Sequence, residues 1–336
     1  MARILPGLVR NRSKAVPAIV AAVLFGLATP AIKIELLVSN PVALATFLYL
    51  GAGTGIFIVS ITKSRPGCFA GIRRSLLSES AGLAGTIIIG GILAPVIQFT
   101  ALSITPAATA SLLLNFEIIA TALVAWGIFH ENVSRTLFIA IVAVFAGSLV
   151  LSLDTASSWC FSLGAAGIIC SCFFWGLDNN LMGTIRGADP CAVVIIKGLA
   201  GGGILLLALI VFRVPLPDPE AVLLIVLTGF LTFGLGLVFL IESLRSIGIA
   251  MTAAYLATAP LIGAFGALAL AFEVPGPQFL VSLPLFVAGL GFLIWDRSAG
   301  TLSGIQRSSC SPICYNPFPK IRASLAQILD DEYLNT

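Results

Sequence analysis

PAATASLLLNFEIIATALVAWGIFHE, residues 106–131, is a run of small and apolar residues with an acid, Glu117, near its centre. The run is long enough to cross a bilayer, because a helix needs about 20 apolar residues to span roughly 30 Å of hydrocarbon. An ionisable group in hydrocarbon costs roughly 2.5–3.5 kcal/mol on insertion scales. A chain that keeps one there must give it polar company. Lys33, Asp178 and Lys197 sit in other apolar stretches of the same kind. Two acids and two bases within spans make transport the leading hypothesis.

Composition narrows the field. Of 336 residues, 58% are hydrophobic and 10% charged, whereas soluble domains carry about 25% charged residues. A water-soluble fold of this size cannot hide so much apolar surface. The net charge of +3 is small and the basic residues are not clustered, so nucleic acid is not an expected partner. Seven cysteines (Cys68, Cys160, Cys170, Cys172, Cys191, Cys310 and Cys314) form no regular framework, which argues against a disulfide scaffold. Most lie in or beside apolar stretches, where Cys acts as a small hydrophobe. With His130 the single histidine, most His-based metal and catalytic clusters are ruled out. No catalytic residue, metal or cofactor is expected.

Working outward with the same ruler gives about ten spans, near residues 16–37, 42–62, 80–102, 106–128, 134–153, 161–183, 190–212, 220–244, 248–271 and 276–295. Turn chemistry separates them: Ser39-Asn40-Pro41, Arg65-Pro66-Gly67, Asp189-Pro190, Pro215 to Pro219 and Pro275-Gly276-Pro277. The basic N-terminus followed by Val16 to Leu37 resembles a signal peptide, but the apolar run exceeds an h-region of about 7–15 residues. It reads as an uncleaved first helix.

With the N-terminus cytoplasmic, Arg3, Arg10, Arg12, Lys14, Lys63, Arg65, Arg73, Arg74, Arg135, Arg186 and Arg245 all fall inside. So do Arg297, Arg307, Lys320 and Arg322, and only Arg213 falls in an outer loop. This asymmetry places both termini in the cytoplasm of a cell with the protein in its plasma or inner membrane.

The chain also repeats itself. IAIVAVFAGSLVLSLD (139–154) parallels VSLPLFVAGLGFLIWD (281–296), sharing the Ala-Gly pair and the closing Asp. Phe25-Gly26-Leu27 parallels Trp175-Gly176-Leu177, Asn40-Pro41 parallels Asp189-Pro190, and Gly53 with Gly55 parallels Gly201 with Gly203. The expected organisation is a cytoplasmic N-terminus (1–15), a first five-helix copy (16–154), a second (160–296) and a cytoplasmic tail (297–336). Five spans per copy force the second copy to enter the membrane upside down. The expected fold is therefore all-α and integral to the membrane, as two inverted five-helix repeats. Inverted repeats in secondary transporters place the substrate site between the copies near the midplane.

The segments Pro106 to Asn132 and GIAMTAAYLATAPLIGAFGALALAFE (248–273) carry a family resemblance: a small-residue start, an apolar middle and a closing acid, Glu131 and Glu273. The chain resembles the EamA-type members of the drug/metabolite transporter superfamily, over about residues 17–296. The resemblance implies proton- or gradient-coupled movement of small metabolites, often efflux. Family members usually carry a proline near the middle of this helix, as Pro260 does in the second copy. The first copy has Glu117 there instead.

Glu117 is the first choice for a coupling group, since an intramembrane acid can exchange a proton for substrate. Asp178 and Lys197 share a similar depth at about 1.5 Å per residue, so a buried pair is the least costly way to house both. That pair can be structural glue, a gate or a binding group. Asn179 and Asn180 extend the polar stretch and suit bonds across helices. Gln98 can line a cavity or join two helices, and Trp175 can stack on a substrate or pack in the core. Asn115, two residues from Glu117, is expected on another helix face. Lys33 is expected to snorkel to the interface, and Glu35 to be solvated. The glycine runs are packing surfaces rather than phosphate loops, since no Gly-Lys-Ser/Thr follows them.

The expected function is secondary-active transport, in the efflux direction, of a small organic metabolite such as an amino acid or amphipathic amine, by alternating access and with protons as candidate coupling ions. The expected partners are that substrate and the lipid bilayer; homodimerisation stays open. One rival is a membrane-embedded enzyme acting on a lipid-linked substrate, which would need a reactive constellation that the sequence lacks. A channel, which would need a ring of charges or carbonyls that nothing in the sequence suggests, and a non-transporting receptor or scaffold are the others.

Overall fold

Among the described residues the apolar runs form helices, and several of them start where the sequence supplies caps. The structure, a computed structural model, describes residues 12–62, 72, 80–129, 135–154, 160–185, 189–246, 255–256, 258–270 and 276–298. All belong to one compact unit, Met1–Thr301. The N-terminal residues 1–11, His130, Glu131, Glu273 and the tail from 299 lie outside the described residues.

Helix α1 is Arg12–Glu35 and α2 is Pro41–Thr62. Asn40 opens α2 by accepting the Val42 N–H at 2.9 Å. Helix α3 runs from Ser80 to Ser103 with a π turn, Ile89–Leu93, between its α-helical parts Ser80–Ile88 and Ala94–Ser103. Next come α4 (Ala107–Leu113), α5 (Phe116–Phe129) and α6 (Arg135–Ser152). A two-residue antiparallel pair, β1 (Leu153–Asp154) with β2 (Cys160–Phe161), joins the halves of the chain. Helix α7 is Leu163–Thr184, with Ser162 as N-cap. Helix α8 is Pro190–Val211, where the Asp189 carboxylate accepts the Cys191 and Ala192 N–H groups and Pro190 takes the first helical position. Helix α9 starts as Pro219–Gly229, passes through a π turn at Phe230–Gly236 and ends as Leu237–Ser246. Helices α10 (Ala259–Leu270) and α11 (Pro277–Ser298) complete the described fold.

Among the described residues, five segments are long and apolar enough to cross a membrane: Val16–Glu35, Pro41–Thr62, Ser80–Ser103, Pro190–Val211 and Pro219–Ser243. Their outer faces carry bare hydrocarbon, such as Ile58, Leu207 and Leu223. Hydroxyls inside spans turn back on their own helix: Thr46 donates to the Val42 carbonyl, Ser60 to Ile56 and Ser148 to Val144. In lipid, where water offers no partner, this is how a hydroxyl is satisfied. The protein is an all-α integral membrane protein.

The copies are visible in their irregularities. The third helix of each, α3 and α9, contains a π turn. The fourth helix of the first copy is interrupted at Leu114–Asn115, and in the second copy a turn at Thr258 breaks the chain just before Ala259–Leu270. The expected continuous helix over 106–128 is therefore two helices, α4 and α5. The partner helices α2 and α8 run antiparallel through a glycine seam. A Cβ on Gly53 would lie 2.7 Å from the Leu199 nitrogen, one on Gly198 2.6 Å from the Gly53 nitrogen, and one on Gly202 2.8 Å from Leu50. Each copy also reaches into the other. Gly26 of α1 lies against Ala259 and Ile262 of α10, and Gly176 of α7 against Ala120 and Thr121 of α5. Small residues let these backbones touch.

Candidate substrate and coupling site

The interruption between α4 and α5 has a local cause. The Asn115 backbone N–H and its side-chain Nδ2 both donate to the Leu112 carbonyl, at 3.1 and 3.0 Å. An asparagine that bonds its own upstream carbonyl competes with the helical ladder. Thr258 does the same in the second copy: its N–H and its hydroxyl both donate to the Tyr255 carbonyl, at 3.1 and 2.6 Å. Each break is followed by a fresh helix start. Glu117 stands in the first turn of α5 and Pro260 in the first turn of α10. An acid and a proline are both favoured at such a start, one by the helix dipole and one by its fixed φ. The Glu117-for-Pro260 exchange thus keeps the architecture and changes the chemistry.

Helix α7 lies along α5 and supplies the partners. Asn179 Nδ2 donates to Glu117 Oε1 at 2.8 Å and to the Thr121 hydroxyl at 3.3 Å. Asn180 Nδ2 donates to the Thr121 and Gly176 carbonyls at 3.0 and 2.8 Å. Asn179 is exposed, so it connects Glu117 to the protein surface, whereas Asn180 ties α7 to α5.

Asp178 and Lys197 form a buried ion pair between α7 and α8, Nζ to Oδ2 at 2.5 Å. Their neighbours are cut to fit. Gly90, in the π turn of α3, faces the carboxylate so closely that a Cβ there would lie 2.1 Å from Asp178 Cγ. The Gly90 carbonyl accepts the Tyr49 hydroxyl. Asp178 Oδ1 is buried and meets no donor among the described residues. Lys197 Nζ lies 5.5 Å from the centre of the Trp175 ring, within cation–π range. Trp175 Nε1 donates to Gln98 Oε1 at 2.6 Å and the ring stacks on Phe233, which also touches Tyr49 and Phe99. Gln98 therefore joins α3 to α7. Glu117, Asp178 and Lys197 are close enough to feel one another's charge. The structure brings Glu117, Asp178, Asn179, Asn180, Lys197, Trp175 and Gln98 into one neighbourhood, on α3, α5, α7 and α8.

With every group ionised, this neighbourhood holds two acids against one base. Among the described residues, no group of three or more His, Cys, Asp or Glu is placed to share a metal ion.

The sequence profile of the EamA-like transporter family matches residues 13–153 and 162–295. The chain belongs to the EamA-like transporter family. A protein of Methanothermobacter thermautotrophicus named as an uncharacterized transporter is 27% identical over 292 residues, covering 83% of this chain and 85% of its own length. A protein of known crystal structure, 15% identical, aligns over 85% of this chain and 98% of its own with a TM-score of 0.63, a likeness of fold. Membrane transport of a small molecule is the function of this EamA-like transporter at that level of description.

Several features of the transporter's interior were not visible in the sequence reading. Asn115, expected on another helix face, makes the helix break, and its Oδ1 is buried with no donor among the described residues. Glu35, expected to be solvated, is 3% exposed and accepts the Thr228 hydroxyl at 2.5 Å. The Lys33 ammonium reaches the helix-end level as a snorkelling lysine would, but it grips three carbonyls there: Leu102 at 2.7 Å, Thr105 at 2.8 Å and Ser103 at 3.2 Å. Gly90 and Tyr49 owe their role to the π turn, which the sequence does not announce. The Gly90-Gly91 pair inside an apolar run was the available signal.

Proposed function

We propose that the chain is a secondary-active carrier that exports a small organic metabolite, such as an amino acid or amphipathic amine, by alternating access, and that Glu117 carries the proton that drives it. The observation behind this reading is the uneven charge at a helix break: Lys197 pairs with Asp178, Glu117 has the neutral Asn179 as its partner, and Asn179 is exposed. Such a site holds one more cation or proton at little cost. Broken helices in transporters present their half-helix ends to substrate and coupling ions in this manner. In this reading Asp178 and Lys197 set the charge of the cavity wall, Asn179 and Asn180 line it, and Trp175 with Gln98 closes its apolar side. The cytoplasmic bias of Lys and Arg supports both termini inside a plasma or inner membrane, with copies at 16–154 and 160–296.

The test is uptake of candidate metabolites into proteoliposomes with and without an imposed proton gradient. Glu117→Gln keeps the Asn179 contact in shape and removes the titrating group. It is expected to bind and exchange substrate yet lose gradient-driven accumulation. Accumulation that follows the gradient as in the wild type removes Glu117 from the coupling role.

A further inference from the structure

Two contacts sit at the end of the bundle opposite the charged site. Helices α3 and α7 run antiparallel: Gly85, early in α3, faces Leu181, late in α7, whereas Gly164, early in α7, faces Thr105 just past α3. Asp178 to Asn180 therefore lie toward the end where α3 begins. The last turn of α1, with Lys33 and Glu35, lies at the end where α3 finishes, since Lys33 holds the carbonyls of Leu102, Ser103 and Thr105. The aromatic cluster of Tyr49, Phe99, Trp175 and Phe233 occupies the middle.

The two charged residues of this turn hold different partners. Lys33 ties α1 to the α3–α4 connection of its own copy. Glu35 ties α1 to Thr228 on α9 of the other copy, across 193 positions of sequence. Movement of one copy against the other leaves the first contact whole and breaks the second. The second is also built to part. Glu35 is 3% exposed, yet its Oε2 meets no donor among the described residues. A buried carboxyl with one partner is poorly compensated and gains from hydration. The ends differ in access as well: Asn179 is exposed at one, and Glu35 is sealed at the other.

We propose that the last turn of α1 is the gate at the end of the bundle remote from Asp178, with Glu35 and Thr228 as its latch and Lys33 as its anchor. The proposal rests on the alternating-access reading. Opening at that end breaks the Glu35–Thr228 bond, wets the carboxyl and exposes the aromatic layer from that face. The Lys33 contacts persist, so the turn swings with the first copy.

The test uses the full chain in liposomes, with its native cysteines replaced, and a membrane-impermeant maleimide as probe. Thr232, one turn deeper than Thr228 on α9 and 6% exposed, is the reporter position through Thr232→Cys. Thr228→Val is expected to raise labelling of the reporter at least about tenfold, the scale of one lost charge-assisted hydrogen bond. Glu35→Gln retains an acceptor for the Thr228 hydroxyl and is expected to stay within a few-fold of the parent. Conversely, Glu35→Cys with Thr228→Cys, oxidised to a disulfide, is expected to suppress labelling at least about tenfold and to recover on reduction. An Asn179→Cys reporter at the other end is expected to change in the opposite sense, its labelling falling as that of Thr232→Cys rises. Labelling unchanged by Thr228→Val, or equal in the oxidised and reduced pair, overturns the gate. No substrate is needed for this readout. Gated labelling without accumulation of any metabolite would break the transport reading and keep the gate.

Discussion

The two helix breaks are built alike and furnished differently. At each, a polar side chain bonds the carbonyl three residues back, and a new helix starts directly after. The first break then presents Glu117 to Asn179, beside the Asp178–Lys197 pair. The second presents Ala259, Pro260 and Gly263, and packs flat on Gly26 of α1. The scaffold follows the repeat, and the chemistry lies where the copies have diverged. On the proposed reading this asymmetry is what a carrier with one charged site needs: the inverted copies supply the frame, and the site joins Glu117 of the first copy to Asp178, Asn179 and Lys197 of the second.

The largest expected effect tests that division at the ion pair. Lys197→Met leaves the Asp178 carboxylate buried and alone, which costs roughly 3–5 kcal/mol of stability. Unfolding in detergent, followed by heat or denaturant, reads it out. Adding Asp178→Asn is expected to return most of the lost stability, because replacing both members of a buried pair is often close to neutral. If the pair also sets the charge of the cavity, the restored double variant still fails to transport. Transport recovered together with stability would reduce the pair to glue and move the chemistry wholly onto Glu117.

Next comes the contrast between the two π turns. Gly90→Ala drives a Cβ into the Asp178 carboxylate, and the forced shift is expected to cost about 1–3 kcal/mol. The π turn of α9 carries a side chain at Thr232, whose hydroxyl returns to its own helix at the Thr228 carbonyl. Thr232→Ala is expected to cost under about 1 kcal/mol. Equal costs would mean that both turns are framework and that the Gly90 turn has no special relation to the ion pair.

The same contrast explains what could be read from the sequence. Apolar runs of bilayer length and the one-sided Lys and Arg pattern made the helices and their rough limits legible, because hydrocarbon imposes length and polarity on each segment independently. Asp178 and Lys197 were legible as partners because they flank a short connection at similar depth. The break before Glu117 was hidden, since it depends on the rotamer of Asn115 inside an otherwise unbroken apolar run. Glu35 was misread for a non-local reason: its place at a helix end suggests water, and only the packing of α9 over it shows otherwise. Trp175 and Gln98 could each be named, but their mutual hydrogen bond joins α7 to α3 and requires the folded bundle. Trp175→Phe should therefore cost about 1 kcal/mol for the lost donor, with the stacking on Phe233 retained.

The smallest effect is expected at Pro260, and it is the sharpest test of the asymmetry. In the first turn of α10, a proline's missing N–H falls among groups that have no helical partner anyway, and its ring presets the backbone. Pro260→Ala therefore acts mainly through the unfolded chain, at roughly 0.4–1 kcal/mol. Gradient-driven accumulation in proteoliposomes is expected to stay within about twofold of the parent, since half a kilocalorie changes an equilibrium by little more than that. Glu117→Gln, at the matching place in the first copy, is expected to abolish the same accumulation. If Pro260→Ala were equally damaging while the protein stayed folded, the second break would share in the transport cycle itself. The copies would then differ in residue type but not in importance, and a carrier with one working half would have to give way to one in which both half-helices move.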